Sequence, residues 1–154
     1  DVLRLFRLHM RSLIELQDGT GLWHNMLDKS ETYLETSASA MFVYGLAKGL
    51  NEGWLSPIYG PAAITGWNGL VSRVLPDGRV EGICEGTTYA NDNTYYFFRG
   101  ASANTTFFGS VLYAGVEMMK LVKNPELQIT PARPNAVNSA IHFKWTKDAN
   151  ATRD

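Results

Sequence analysis

Two short turns of the same make-up, Leu16-Gln17-Asp18-Gly19 and Leu75-Pro76-Asp77-Gly78, each follow an amphipathic run and precede a short extended one. The separation of the two aspartates equals a helical hairpin plus its loop, so the chain is constrained to stacked helix pairs. Pairs joined alternately by short and long connections predict an all-α fold, part of an α/α toroid, with short β segments in its loops. The 154 residues suit one domain able to bury a core.

In the first run Leu3, Phe6, Met10, Leu13, Ile14 and Gln17 recur at three- and four-residue steps, with Arg4, Arg7, Arg11 and Glu15 opposite. That pattern predicts a helix over about residues 2–17. Asp18-Gly19 stops it, Gly21 to Leu27 reads as a strand or irregular loop, and Lys29-Ser30-Glu31 as a polar turn. Thr36 or Ser37 is the expected N-cap of a second helix over about residues 36–51. Its buried side reads as Met41, Phe42, Gly45, Leu46, Gly49 and Leu50. Ala38, Ala40, Gly45 and Gly49 let a neighbour approach closely, although each interior Gly costs about 1 kcal/mol of helix propensity.

Gly53 ends that helix and Pro57 opens a third, where its missing N–H does no harm. Ile58, Ala62, Trp67, Leu70, Val71 and Val74 carry its period to about residue 74, and Val80, Ile83 and Cys84 read as a short strand. Residues 84–105 show no helical period and hold Tyr89, Tyr95, Tyr96, Phe97, Phe98 and Arg99, a connection long enough to be functional. Phe107 to Val122 is the fourth helix, with Phe108, Val111, Leu112, Gly115, Met119 and Val122 on one side. Residues 1–124 thus form the helical domain and residues 125–154 an extended tail. Leu127 to Thr130 and Ala140 to Trp145 are candidate edge strands there, and the last eight residues should fray.

A net charge of −1 and a pI near 6.3 supply no basic field for nucleic acid. No apolar run approaches the roughly 18 residues of a membrane span. Cys84, the single cysteine, excludes an internal disulfide and reads as a small buried hydrophobe. His9, His24 and His142 have no metal-ligand spacing, and no GxSxG, phosphate-binding glycine loop or GxGxxG is present. Aromatics at 12% suit a cleft that stacks the flat faces of sugars. The sequons at Asn104 and Asn150 bear on a secreted protein only, so the sequence leaves secretion and cytoplasm both open. The chain starts inside a helical period without an initiator Met, from which the C-terminal piece of a longer protein is expected.

Three constellations carry candidate chemistry, each with a plainer reading beside it. Trp23, His24 and Asp28 offer an indole platform, a donor and an acid, or else a core plug, a loop residue and a turn former. Glu35-Thr36-Ser37 presents polar groups and free N–H at a helix start, or simply caps the helix. Tyr95, Tyr96 and Arg99 form a stacking wall with a carboxylate-binding guanidinium, or a packed loop.

LQDGTGLWHNMLD, YLETSASAMFVYGLAKGL and DGRVEGICEGTTY together resemble the C-terminal part of the unsaturated rhamnogalacturonyl hydrolases of glycoside hydrolase family 105, similar to the unsaturated glucuronyl hydrolases of family 88. The likeness covers about residues 1–122, and ETSASAMF from Glu35 is its most specific part. It implies a partial (α/α)6 barrel acting on pectin (rhamnogalacturonan) oligosaccharides that end in a C4=C5-unsaturated uronic acid. An aspartate protonates the double bond, water adds, and the resulting hemiketal opens to release the neighbouring sugar, without metal or organic cofactor. The implied partners are the unsaturated oligosaccharide and the missing N-terminal half of the barrel. The family's catalytic aspartate belongs to an earlier segment, expected upstream of this chain, so Asp28 is a related acid rather than the proton donor. No catalytic residue is therefore assigned here, and Trp23, His24, Thr36, Ser37 and Tyr96 are the expected substrate-binding residues. Thr106-Phe107-Phe108-Gly109-Ser110 departs from the His-Gly-x-Gly-Pro-like segment of the family. That departure keeps a second class of function in view, a non-catalytic carbohydrate-binding or scaffold domain of the same fold.

Overall fold

The computed structural model describes residues 1–104, 108–124, 128–131 and 143–146. Among the described residues, five helices and four strands follow in order: α1 (Val2–Glu15), α2 (Thr36–Asn51), α3 (Gly60–Val71), β1 (Val80–Cys84), α4 (Thr94–Phe97), β2 (Ala101–Asn104), α5 (Gly109–Lys123), β3 (Gln128–Pro131) and β4 (Phe143–Thr146). A 3₁₀ turn at Pro57–Tyr59 leads into α3, with Pro57 at its start as the sequence predicts. Most of the helical pattern is realised, and α2 lies at its centre, packed on α1, α3, α5 and β1.

The helix α1 starts with an Asp N-cap that the helical pattern alone did not bring out: the Asp1 carboxylate accepts from the Leu3 N–H at 3.1 Å. Its expected inward side is inward, with Met10 and Leu13 buried and Leu3, Phe6 and Ile14 half-buried. Gln17, on the same side, donates from Nε2 to the Gly21 and Ala62 carbonyls at 2.8 and 3.0 Å, joining the end of α1 to the next turn and to α3.

The two Asp-Gly turns share one device. A carboxylate oxygen of Asp18 accepts from the Thr20 N–H, and one of Asp77 accepts from the Arg79 N–H. Their backbone closures differ in register, from Asp18 to Leu22 in the first and from Leu75 to Arg79 in the second. Gly21 also has a positive φ of 90°, and a Cβ there would sit 2.1 Å from the Thr65 carbonyl oxygen. The turn therefore lies directly on the backbone of α3, which no L side chain permits.

Helix phase is where the sequence expectation needs correction. On α2, Ala40, Val43, Leu46, Ala47 and Leu50 are buried, whereas Met41 is 64% exposed. Along the third helical stretch the expected Leu70 is buried and Ala62 and Trp67 are half-buried. Ile58 in the 3₁₀ turn, Val71 at the end of α3 and Val74 beyond it are instead exposed, and the rest of the buried side is Gly60, Ala63, Gly66 and Gly69. A Cβ on Gly66 would meet Val43 Cγ2 at 2.5 Å, and one on Gly69 the Thr20 carbonyl oxygen at 2.6 Å. The glycine side wins because it alone lets α3 approach this closely. Of the side expected inward on α5, Val111 is buried, but Leu112, Met119, Val122 and the N-cap Phe108 are exposed, and Ala114, Met118 and Leu121 are buried instead with Glu117. Gly115 of α5 lies against Trp67 of α3, where a Cβ would be 3.0 Å from the ring.

Glu117 remains a tolerable buried acid because both oxygens are occupied. One accepts from Asn51 Nδ2 at 2.9 Å and the other from Lys120 Nζ at 2.7 Å. Burial pushes this carboxyl up, but those hydrogen bonds together with the charges of Lys120 and Lys48 outweigh it, and the net displacement is downward.

The stretch read as one long loop between β1 and α5 contains α4 and β2. The strand β2 pairs antiparallel with β1 (Val80 opposite Asn104, Ile83 opposite Ser102, Cys84 opposite Ala101), with an irregularity between Val80 and Ile83. Ala-Ser-Ala-Asn is too short and too small to show an alternating pattern, so this pairing is invisible locally. The strands β3 and β4 also pair antiparallel, from Gln128 opposite Thr146 to Pro131 opposite Phe143. These two strands fall on the stretches expected over Leu127 to Thr130 and Ala140 to Trp145, while Leu127, residues 140–142, the terminal eight residues, Thr106, Phe107 and the second sequon lie outside the described residues.

Leu112, Tyr113, Val116, Met119 and Val122 make a broad exposed apolar face on α5, and Val2, Leu5 and Leu8 make another on α1. Each such side chain gains about 1.5–3 kcal/mol when buried, so faces of this size drive association. Expressed as residues 1–154 alone, the chain is expected to self-associate or precipitate. Sedimentation velocity checks this, and a monodisperse monomer at micromolar concentration is the contrary result.

Candidate functional site

The polar and aromatic residues collect at the N-terminal end of α2. Two connections meet there, residues 22–35 between α1 and α2 and residues 85–100 between β1 and β2. Glu35 joins them. It is only 5% exposed and is itself the N-cap of α2, the place expected for Thr36 or Ser37. Its Oε2 accepts from the Ala38 N–H at 2.5 Å, and its Oε1 accepts from the Ser37 hydroxyl at 2.8 Å and the Cys84 N–H at 3.0 Å. The helix N-terminus therefore meets the protein's own carboxylate.

Thr36 is fully buried and donates its hydroxyl to the Glu81 carbonyl at 2.6 Å, tying α2 to β1. Gly82, with φ of 72°, lies over it, and a Cβ there would be 2.7 Å from Thr36 Oγ1. Ser39 donates to the Glu35 carbonyl at 2.6 Å and accepts from the Trp23 N–H at 2.9 Å. Trp23 is 0% exposed. Its Nε1–H donates to the Leu13 carbonyl at 2.7 Å and its ring meets Phe42 edge-on. This indole plugs the core behind the site and joins α1 to α2.

His24 pairs with Leu34 across an isolated antiparallel bridge. Its Nδ1 lies 2.6 Å from the Thr32 carbonyl, which can only accept, so Nδ1 carries a proton. Nε2 faces Asp18 Oδ2 at 3.5 Å, a contact that becomes an ion pair when the ring is protonated. Asp18 is held below the usual carboxylate range by the Thr20 backbone and side-chain hydrogen bonds, with His24 adding to them. Asp28 is an exposed carboxylate paired with Lys29 Nζ at 2.9 Å, which lowers its pKa. A proton donor needs the opposite shift. Every aspartate among the described residues whose pKa is displaced (Asp18, Asp28 and Asp77) is displaced downward.

The aromatic connection braces itself. The Tyr96 hydroxyl accepts from the Ala90 N–H at 3.1 Å and donates to the Thr88 carbonyl at 3.3 Å. The Tyr95 hydroxyl accepts from the Thr88 hydroxyl at 3.5 Å and from the Thr88 N–H at 3.2 Å, which together lower its pKa. The Arg99 guanidinium donates to the Gly86 and Glu85 carbonyls and lies over the Tyr95 ring, 5.6 Å from its centroid. Tyr89 and Phe98 project from this frame, 88% and 82% exposed.

Asn25 and Tyr33 did not stand out in the sequence. The Tyr33 hydroxyl donates to Asn25 Oδ1 at 3.2 Å, and Asn25 Nδ2 donates to the Tyr96 carbonyl at 3.0 Å. Burial pushes the Tyr33 phenol up, with Cys84 beside it acting in the same direction. Of the residues expected to line a site, His24 and Tyr96 are thus brought to adjoining segments, and Ser37 lies close to Glu35 and Cys84. Trp23 and Thr36 stand behind them. Among the described residues no group of three or more metal-ligating side chains is present, and no helix is long and apolar enough to cross a membrane.

Residues 1–122 match the model of Glycosyl Hydrolase Family 88, and the chain belongs to that family. It is 38% identical over 82 residues to the unsaturated rhamnogalacturonyl hydrolase YesR of Bacillus subtilis, covering 53% of this chain and 22% of that protein. It is 32% identical over 123 residues to the unsaturated 3S-rhamnoglycuronyl hydrolase of Formosa agariphila, covering 76% and 30%. Among solved structures, a possible GH105 family member from Klebsiella pneumoniae aligns with a TM-score of 0.73 and 26% identity, over 77% of this chain and 31% of that one. A family 88 glycosyl hydrolase from Bacteroides vulgatus aligns with a TM-score of 0.60 and 27% identity, over 73% and 33%. The helices form part of the (α/α)6 toroid of these enzymes, and the chain spans about a third or less of each relative's length.

Two outcomes follow. Glu35→Ala leaves the Cys84 and Ala38 N–H groups without their acceptor and removes the cap, so a loss of about 2–4 kcal/mol is expected. Urea unfolding of the barrel-complete protein that contains these residues, with and without the substitution, reads it, and a difference below about 1 kcal/mol contradicts the role given to Glu35. Asp18 has a folded-state pKa below its ordinary value of 3.8, so its contribution is complete above that value and lost as pH falls through the folded one. Asp18→Asn should shrink the drop in urea midpoint between neutral pH and about pH 3, and an unchanged drop contradicts the assignment.

Proposed function

We propose that this chain supplies one wall of the sugar-acid site of an unsaturated uronyl hydrolase acting on pectin-derived rhamnogalacturonan oligosaccharides. The observation that carries the reading is the family match over residues 1–122, together with the names of two relatives, one an unsaturated rhamnogalacturonyl hydrolase and the other an unsaturated 3S-rhamnoglycuronyl hydrolase. The expected reaction is hydration of the C4=C5 double bond of a terminal unsaturated galacturonyl or glucuronyl residue. Proton donation to one alkene carbon and water addition to the other give a hemiketal, which opens and releases the neighbouring sugar.

The arrangement at the head of α2 supports a binding role rather than a proton-donating one. Its displaced aspartates are held ionised, so the general acid is assigned to the part of the barrel beyond these residues. His24, Ser37 and Tyr96 are the contact residues of this wall, with Tyr89 and Phe98 offering faces on which a planar unsaturated ring stacks. Trp23 and Thr36 set the backbone from behind, through the Leu13 and Glu81 carbonyls.

The test is a spectroscopic assay of the barrel-complete protein that contains these residues. With unsaturated rhamnogalacturonan disaccharide, the ultraviolet band of the conjugated acid should disappear with turnover, without added metal or cofactor. A folded protein that leaves the band intact on both galacturonyl and glucuronyl substrates overturns the reading.

A further inference from the structure

We infer that Asn25 is a positioning residue: its side-chain amide fixes the aromatic connection of residues 85–100 in place, and thereby sets the affinity of the site for sugar. The inference rests on the proposed hydrolase reading for its second half only.

The connection leaves β1 at Cys84 and returns through β2 at Ala101, so the short β1–β2 ladder holds only its two ends. Between them Tyr95, Tyr96 and Arg99 bond to carbonyls and N–H groups of the same stretch, which stiffens it without attaching it to anything. Attachment comes from Asn25 Nδ2, which donates to the Tyr96 carbonyl across 71 positions of chain. A carbonyl can only accept, so the amide must present its NH₂ group there and its oxygen to the Tyr33 hydroxyl. Asn25 is held from its own side as well, since its N–H donates to the Tyr33 carbonyl at 2.8 Å beside the His24–Leu34 bridge.

The anchored stretch carries Tyr89 and Phe98, large aromatic residues that the core does not use. Exposed aromatic faces on a braced frame bind flat ligands at low ordering cost, and that advantage disappears when the frame swings free. Asn25 thus touches no substrate in this account and acts through the backbone of Tyr96.

The test uses Asn25→Asp, Asn25→Ala and Tyr33→Phe in the barrel-complete protein, read by hydrogen exchange and by kinetics on the unsaturated disaccharide. Asn25→Asp keeps size and the acceptor for Tyr33 but removes the donor, and it carries the experiment if Asn25→Ala does not fold. Amides of residues 86–99 should exchange about tenfold faster in both Asn25 variants, with α2 and α5 unchanged, and Tyr33→Phe should show a smaller increase of the same pattern. KM should rise about three- to tenfold with kcat nearly constant, the signature of lost binding rather than lost chemistry. Unchanged exchange at residues 86–99 overturns the anchor, whatever the activity. Faster exchange with an unchanged KM overturns its link to sugar binding while leaving the hydrolase reading intact. A wild-type protein without turnover overturns that reading, and with it the link to sugar affinity, while the exchange arm still decides the anchor.

Discussion

A buried carboxylate at the head of a helix organises this structure. Taking an acid out of water is costly unless its oxygens are occupied, and Glu35 meets that condition with donors from Ala38, Ser37 and Cys84. Its backbone adds two more ties, an N–H that donates to the Trp23 carbonyl at 2.9 Å and a carbonyl that accepts from Ser39. One residue therefore sets the entry into α2, the path of the 22–35 segment and the place of β1. Because β1 carries β2, the aromatic connection between them inherits its position from the same carboxylate.

Around α2 the packing follows a rule of approach rather than of hydrophobicity. The helix α3 turns Gly66 and Gly69 inward, so that its backbone reaches Val43 and the Thr20 carbonyl. On the other side Gly49 takes Leu55 and Phe6 into the space a side chain would fill. Larger apolar residues such as Ile58, Val71 and Leu112 are consequently directed away from α2. In a ring of helix pairs those outward faces are where neighbouring helices belong, which accords with a chain that covers 31% of a toroid neighbour.

The site itself is polar architecture on an apolar support. Trp23 and Thr36 are fully buried and hold backbone, whereas the groups near the surface come from segments with little core of their own. Tyrosine hydroxyls and a guanidinium, which fold the 85–100 stretch onto itself, replace the missing hydrophobic packing. Such a frame is ordered within itself, and its tie to the neighbouring 22–35 segment runs through Asn25.

Local pattern determined a good deal: the bounds of α2, the amphipathic α1, Pro57 at a helical start, and the Asp-Gly turns with their side-chain caps. These depend on interactions within a few residues, and the ETSASAMF block carried the family. Which face of α3 and α5 turns inward was decided only in three dimensions, because apolar stripes compete there with glycines whose value lies in what packs against them. The tertiary structure likewise decided that Glu35 rather than Thr36 caps α2, that β2 exists, and that Asn25 meets Tyr96. Each of those bonds joins groups far apart in the chain or buries a charge, and single-residue preference has no information about either.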